Sequence, residues 1–216
     1  MLKQMAALAA GLLFAGVSAA DGFQPQAYGA VGLGLSHARY LEKSVSGFQE
    51  DAIRLGLSTS SDIEDTAPAL KALAGYRFHR SFALEAQYAY LGKFTADIRG
   101  MNNAVDAGED AKAYGFGVAG LAFVPLARDT ELFVKAGVFR SRFNASAHAS
   151  GLGIYNDEDS MSATTTKPWY GIGLTFQRSA TSRVRVEYEY YADVGKSANF
   201  AGTKLDALTV SGQLDF

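Results

Sequence analysis

The chain has 216 residues, no cysteine, and 20 basic against 22 acidic residues, for a net charge of −2. Without cysteine, disulfides, zinc–thiolate centres and cysteine nucleophiles are excluded, and so near-neutral a balance argues against nucleic acid as a partner. Its 4 prolines, 23 glycines and 25 Phe or Tyr residues favour a β protein.

The first twenty residues, MLKQMAALAAGLLFAGVSAA, carry one cation at Lys3, an apolar run from Met5 to Val17, and the small residues Ser18, Ala19 and Ala20. This is the pattern of a secretory signal peptide cleaved after Ala20. The run is shorter than the about 20 residues a membrane helix needs. The expected organisation is therefore a signal peptide at 1–20 and one domain at 21–216. The mature portion has 19 basic and 22 acidic residues, a net of −3.

Eight segments then alternate apolar and polar residues at period two: Ala27–Tyr40, Ala69–Arg77, Phe82–Thr95, Lys112–Leu126, Glu131–Asn144, Lys167–Gln177, Arg183–Val194 and Lys204–Phe216. Segments two and three are separated by His79–Ser81, four and five by ARDT, and six and seven by RSATS. These connections are of hairpin length. The others, 41–68, 97–110, 149–166 and 195–203, are much longer. Strict alternation of short and long connections is the signature of an up-and-down membrane barrel with short periplasmic turns and long outer loops.

The faces carry the orientation. In FALEAQYAYLG, Phe82, Leu84, Tyr88 and Tyr90 oppose Glu85 and Gln87; in RVRVEYEYY, Val184, Val186, Tyr188 and Tyr190 oppose Arg183, Arg185, Glu187 and Glu189. Alternation alone does not say which face is inside, and a soluble lipocalin-like barrel would turn its large apolar residues inward. An exported, cysteine-free chain with whole apolar faces on nearly every segment favours lipid outside. Backbone groups in lipid must all be paired, so such strands close on themselves. The final strand, LDALTVSGQLDF, places Leu208, Val210, Leu214 and Phe216 on one face and must pair with the first segment. Tyr76, Phe78, Phe94, Tyr114, Trp169 and Tyr170 stand at segment ends, where rings suit a membrane interface. Lys71, Arg77, Glu85, Lys135, Arg183, Arg185, Glu187 and Glu189 then face the lumen.

AYGAVGLGLS in the first segment, FALEAQYAYLG, VPLARDTELFVKAGVFR, RVRVEYEYYADVG and the terminal strand, in this order, resemble the OmpA-type transmembrane domain and the wider class of small porin-like outer-membrane barrels. The similarity runs from about Tyr28 to Phe216. It implies an all-β, eight-stranded antiparallel transmembrane barrel in the outer membrane of a Gram-negative bacterium. It implies outer-membrane lipid and lipopolysaccharide as surroundings, and barrel-assembly machinery that reads the strand carrying Leu208, Val210, Leu214 and Phe216. Ion pairs plug the lumen in such barrels, and Glu85, Lys135, Arg185 and Glu187 lie at comparable depth, so they are expected to form such a plug. The sequence stops with the eighth segment, so the peptidoglycan-binding domain of full-length OmpA is not expected.

Three other features invite chemistry. GFGVAG at Gly115–Gly120 fits a dinucleotide fingerprint, but it lies inside an alternating strand with no following helix, so Gly115, Gly117 and Ala119 are read as keeping the lumen wall small, with Gly137, Gly171 and Gly173. Ser36 and His37 point to opposite faces and form no dyad, while His148 near Ser146 and Ser150 stands where lipid A-modifying barrels keep their sites. The four long connections hold 13 acidic and 4 basic residues, a net of −9. Within them SDIED at Ser61–Asp65 and NDED at Asn156–Asp159 lack the twelve-residue EF-hand pattern. The first connection, 28 residues long, is large enough to bind something. The expected function is non-enzymatic, a structural or surface-interaction role through acidic outer loops toward an extracellular ligand or host surface, by a monomer without metal or cofactor. The alternatives are a narrow pore gated by lumen ion pairs and, behind it, a lipid A-modifying enzyme.

Overall fold

In a computed structural model, residues 23–39, 59–100, 105–151, 154–196 and 202–216 are described. The expected signal peptide, the stretch IRLGLS and most of the first outer connection lie outside them. The strands are β1 Gln26–Ala38, β2 Thr59–Glu64, β3 Thr66–His79, β4 Phe82–Gly100, β5 Val105–Ala127, β6 Thr130–Gly151, β7 Ile154–Gln177, β8 Ser182–Val194 and β9 Thr203–Asp215.

Each strand pairs antiparallel with its neighbours, β4 pairs with β5, and β1 pairs with both β3 and β9, so the sheet closes. β2 continues the line of β3 past Asp65 and pairs with β4. The two pieces make one barrel strand, and the barrel has eight. The closing seam runs from Tyr28↔Asp215 to Ala38↔Leu205, and the Phe216 amide donates to the Ala27 carbonyl at 2.9 Å. The last strand therefore fills the edge that β1 would otherwise leave open.

The barrel is greasy outside and charged inside. Val31, Leu33, Leu70, Phe116, Val118, Leu208, Val210 and Leu214 project from the outer wall, while Lys71, Glu85, Lys135, Arg185, Glu187 and Glu189 are buried within. That arrangement suits lipid on the outside.

Three expectations need correction. The connections 97–110 and 149–166 are largely strand: β4 and β5 stay paired to Gly100↔Val105, and β6 and β7 to Gly151↔Ile154. Above the membrane a hairpin needs no lipid face, so the apolar period fades while the hydrogen-bonded ladder continues. Phe94 does not belong to the interfacial ring; it is buried inside. Gly92, at φ +102°, sits in a bulge between Tyr90 and Phe94. The extra residue shifts the phase by one: Leu91 keeps the inward phase of Glu85, Gln87 and Ala89, and beyond the bulge Phe94 takes an inward position. Trp169 is likewise fully buried, because it shares its face with lumen-lining Gly171 and Gly173; its neighbour Tyr170 takes the outward position.

Candidate functional site

The lumen is filled by side chains in layers. At mid-depth, β8 supplies Arg185, Glu187 and Glu189 at alternate positions, so all three point inward. Arg185 Nη1 donates to Glu85 Oε2 on β4 at 2.9 Å, and its Nη2 pairs with Glu187. Lys135 Nζ on β6 lies 2.6 Å from Glu189 Oε1, 3.0 Å from Glu187 Oε2 and 3.6 Å from Glu85 Oε1. Lys71 on β3 contacts Glu187 and, at 2.9 Å, Glu189 Oε2. The structure thus brings Glu85, Lys135, Arg185 and Glu187 together and adds Lys71 and Glu189 to them. Three cations face three carboxylates, and the group is neutral.

Polar neighbours complete the carboxylate shells. Gln87 Nε2 donates to Glu189 at 3.0 Å and to the Tyr191 hydroxyl at 2.8 Å, while its carbonyl accepts from Lys135 at 3.2 Å. Trp169 Nε1 and the Tyr28 hydroxyl each donate at 3.2 Å, to Glu189 and Glu85. Buried charge survives only with such pairing and added hydrogen bonds. Above, Trp169 stacks on Tyr191 at 12° and Phe139 meets Tyr191 edge-on. Lys135 Nζ sits 4.6 Å from the Trp169 ring centre and the Arg185 guanidinium 4.7 Å from that of Phe133.

Small residues on facing strands make the room. A Cβ on Gly117 would lie 2.8 Å from the rings of both Phe139 and Trp169, on Gly171 2.8 Å from Lys135 Cε, and on Gly173 2.5 Å from Phe133 Cζ. The run GFGVAG is thus a wall of β5 against which the aromatic layer packs.

A second ionic layer closes the end bearing the short turns. Arg77 makes a bidentate pair with Glu131, both contacts 2.9 Å, and its guanidinium lies 4.2 Å from the Phe123 ring centre. Arg183 donates to Glu131 at 3.1 Å and to Asp215 at 2.7 Å. Here two cations meet two carboxylates. Toward the opposite end Leu91, Phe94, Phe143, Val194 and Leu205 form an apolar layer.

Among the described residues of this interior, no hydroxyl is paired with a histidine base. Ser36 faces the lumen, with Oγ donating to the Leu91 and Ala67 carbonyls. His37 lies on the other face, 3.5 Å from Asp65. The side chains of His148 and of Asn156–Asp159 lie outside the described residues, as do those of Ser61–Ile63. At the outer rim Arg39 pairs with Asp206, which also accepts from Tyr188 at 2.6 Å, and Lys167 and Lys196 approach Asp193 at 3.8 and 3.5 Å. Lys93 contacts Asp110 at 2.9 Å, and this hydrogen bond holds its ammonium above the usual lysine range.

The alternation in sequence placed Lys71, Arg77, Arg183 and Glu189 in the lumen but not in a particular network. Tyr28, Gln87, Glu131, Trp169 and Tyr191 were missed as partners, although Gln87, Glu131 and Tyr191 are in phase with a lumen charge on their own strands.

A closed antiparallel sheet with an apolar outer wall and neutralised ions along its axis defines a transmembrane β-barrel. The chain belongs to the OmpA-like transmembrane domain family, whose model matches residues 24–212, and is an outer-membrane protein of a Gram-negative bacterium. Among solved structures, neisserial surface protein A is 14% identical with a TM-score of 0.52, over 90% of this chain and 100% of that one. The outer membrane protein OprG from Pseudomonas aeruginosa is 12% identical with a TM-score of 0.51, over 88% of this chain and 95% of that one. At these identities the likeness is one of fold. No curated protein sequence matches the chain.

Proposed function

We propose that this barrel is a closed, non-enzymatic monomer that works at the cell surface, in a structural or adhesive role through its acidic outer segments. The observation that carries this reading is the self-neutralised lumen. All three central cations and all three central carboxylates are committed to one another, so none of these six is left unpaired to draw a solute through. Material outside the membrane is extensive by contrast: β4–β5 and β6–β7 run on as paired hairpins beyond the bulge at Gly92 and beyond Lys167. Residues 41–68 add six acidic side chains against two basic ones. An acidic surface of this kind suits a cationic protein or a cation-bridged polyanion on a host surface. Contact with lipopolysaccharide and recognition of the strand ending in Phe216 by the assembly machinery belong to the same reading.

Deletion of residues 43–60 in cells, followed by measurement of adhesion to host cells or matrix, tests it. Adhesion should fall while surface amounts of the barrel stay constant; unchanged adhesion in this deletion and in trimmed β4–β5 and β6–β7 hairpins would refute the surface role.

A narrow pore is the second reading, favoured by the Thr175, Thr209 and Ser211 hydroxyls, which lie buried in the wall without a hydrogen-bond partner among the described residues. Steady openings that change with Glu85→Ala would establish it.

A further inference from the structure

One cluster of charge lies outside the lumen. Lys112 and, on the neighbouring strand, Arg140 and Arg142 project from the outer wall, and their Cα partners are Asn144, Phe116 and Tyr114. They stand at the upper limit of the lipid-facing apolar band, beside Tyr114 and with Thr164 and Thr166 opposite on β7. Of the other described cations near this rim, Arg39, Lys93, Lys167 and Lys196 each contact a carboxylate, and Lys204 stands alone on β9. Lys112, Arg140 and Arg142 have none among the described residues. Three unpaired cations beside apolar Phe116 and Val138 need an anion supplied by their surroundings.

The same two strands lead down from this cluster into a depression. Val118 and Val138 come next, then Gly120 and Ala136, and with Tyr76, Ala74, Leu84 and Ala86 of β3 and β4 they line an apolar concavity of about 570 Å³. A Cβ on Gly120 would touch nothing, so the hollow is open to the lipid side.

We propose that Lys112, Arg140 and Arg142 seat the phosphates of an outer-leaflet lipid, the lipid A of lipopolysaccharide, with an acyl chain lying in the hollow below. The charge complementarity is direct: lipid A carries phosphates at the level where Tyr114 marks the interface, and two guanidinium forks suit phosphate oxygens. Thr164 and Thr166 offer hydroxyls to the same headgroup. This inference rests on the lipopolysaccharide contact in the reading above and not on adhesion through the outer segments, so the lipid test and the adhesion test fail separately.

Native mass spectrometry of the detergent-solubilised full chain, with bis-phosphorylated lipid A, dephosphorylated lipid A and phosphatidylglycerol as separate probes, tests it. The bis-phosphorylated form should be retained at least about tenfold more strongly than the other two, as expected for several cations acting at a membrane surface. Lys112→Gln/Arg140→Gln/Arg142→Gln should abolish that preference, and Lys196→Gln, at a paired rim cation, should leave it intact. Folding is verified by the shift of the unheated barrel on a denaturing gel. Should the triple variant fail to fold, Arg142→Gln alone should still lower retention by about fivefold. Equal retention of phosphatidylglycerol or of dephosphorylated lipid A, or a preference that survives the variants, would overturn the site.

Discussion

Strand β6 carries cations on both of its faces, and the two faces treat them oppositely. On the inner face Lys135 is enclosed by Glu85, Glu187 and Glu189, with Trp169 against its ammonium. On the outer face, Arg140 and Arg142 have no carboxylate beside them among the described residues. A buried charge inside a narrow barrel must find its counter-charge within the chain, because no other source reaches it. An outward charge at the membrane boundary is met by solvent and lipid headgroups. The phase of a residue in its strand therefore decides whether the protein itself provides the partner.

The largest test of the inner face is Glu187→Ala. This change leaves Lys71, Lys135 and Arg185 facing only Glu85 and Glu189, and loss of one member of a buried ionic network costs about 3–5 kcal/mol. The midpoint of urea unfolding, read by gel mobility in lipid vesicles, should fall accordingly; an unchanged midpoint would mean that water, not Glu187, neutralises the three cations. Next in size is a charge moved to the wrong wall. Val118 projects into lipid near mid-strand, and Val118→Arg should cost about 2–4 kcal/mol in the same assay.

Gly117→Leu tests packing rather than charge. The added side chain meets the Phe139 and Trp169 rings, and overpacking of this kind costs about 1–3 kcal/mol. If stability is unchanged, the aromatic layer has space to yield. Smallest is Lys93→Ala, which removes an exposed pair with Asp110. A surface pair of this type contributes under about 1 kcal/mol, so the midpoint should hardly move.

Much of the architecture was legible in the sequence because membrane strands write their two environments at period two. The alternation in FALEAQYAYLG and RVRVEYEYY fixed which residues face lipid, and the short turns fixed the pairing order. Phe94 was misread because a single bulge at Gly92 inverts the phase beyond it, and a glycine in a strand gives little local signal of that. Trp169 was misread because an aromatic at a strand end fits either an interface or a lumen cap; only its phase with Gly171 and Gly173 separates the two. The network was legible as a set of inward charges but not as a set of pairs. Lys71 meets Glu187 and Glu189 across the barrel, from strands that share no hydrogen bond. Such a contact depends on stagger and tilt, which no local pattern encodes. The hairpins beyond Gly92 and Lys167 escaped for a related reason, since outside lipid a strand need not show an apolar face.

The most direct test of a sealed, self-neutralised lumen is planar-bilayer recording of the purified full chain. The wild type should give no sustained ionic current across a wide range of voltage, and steady unitary conductance steps from the unmodified protein would contradict the account.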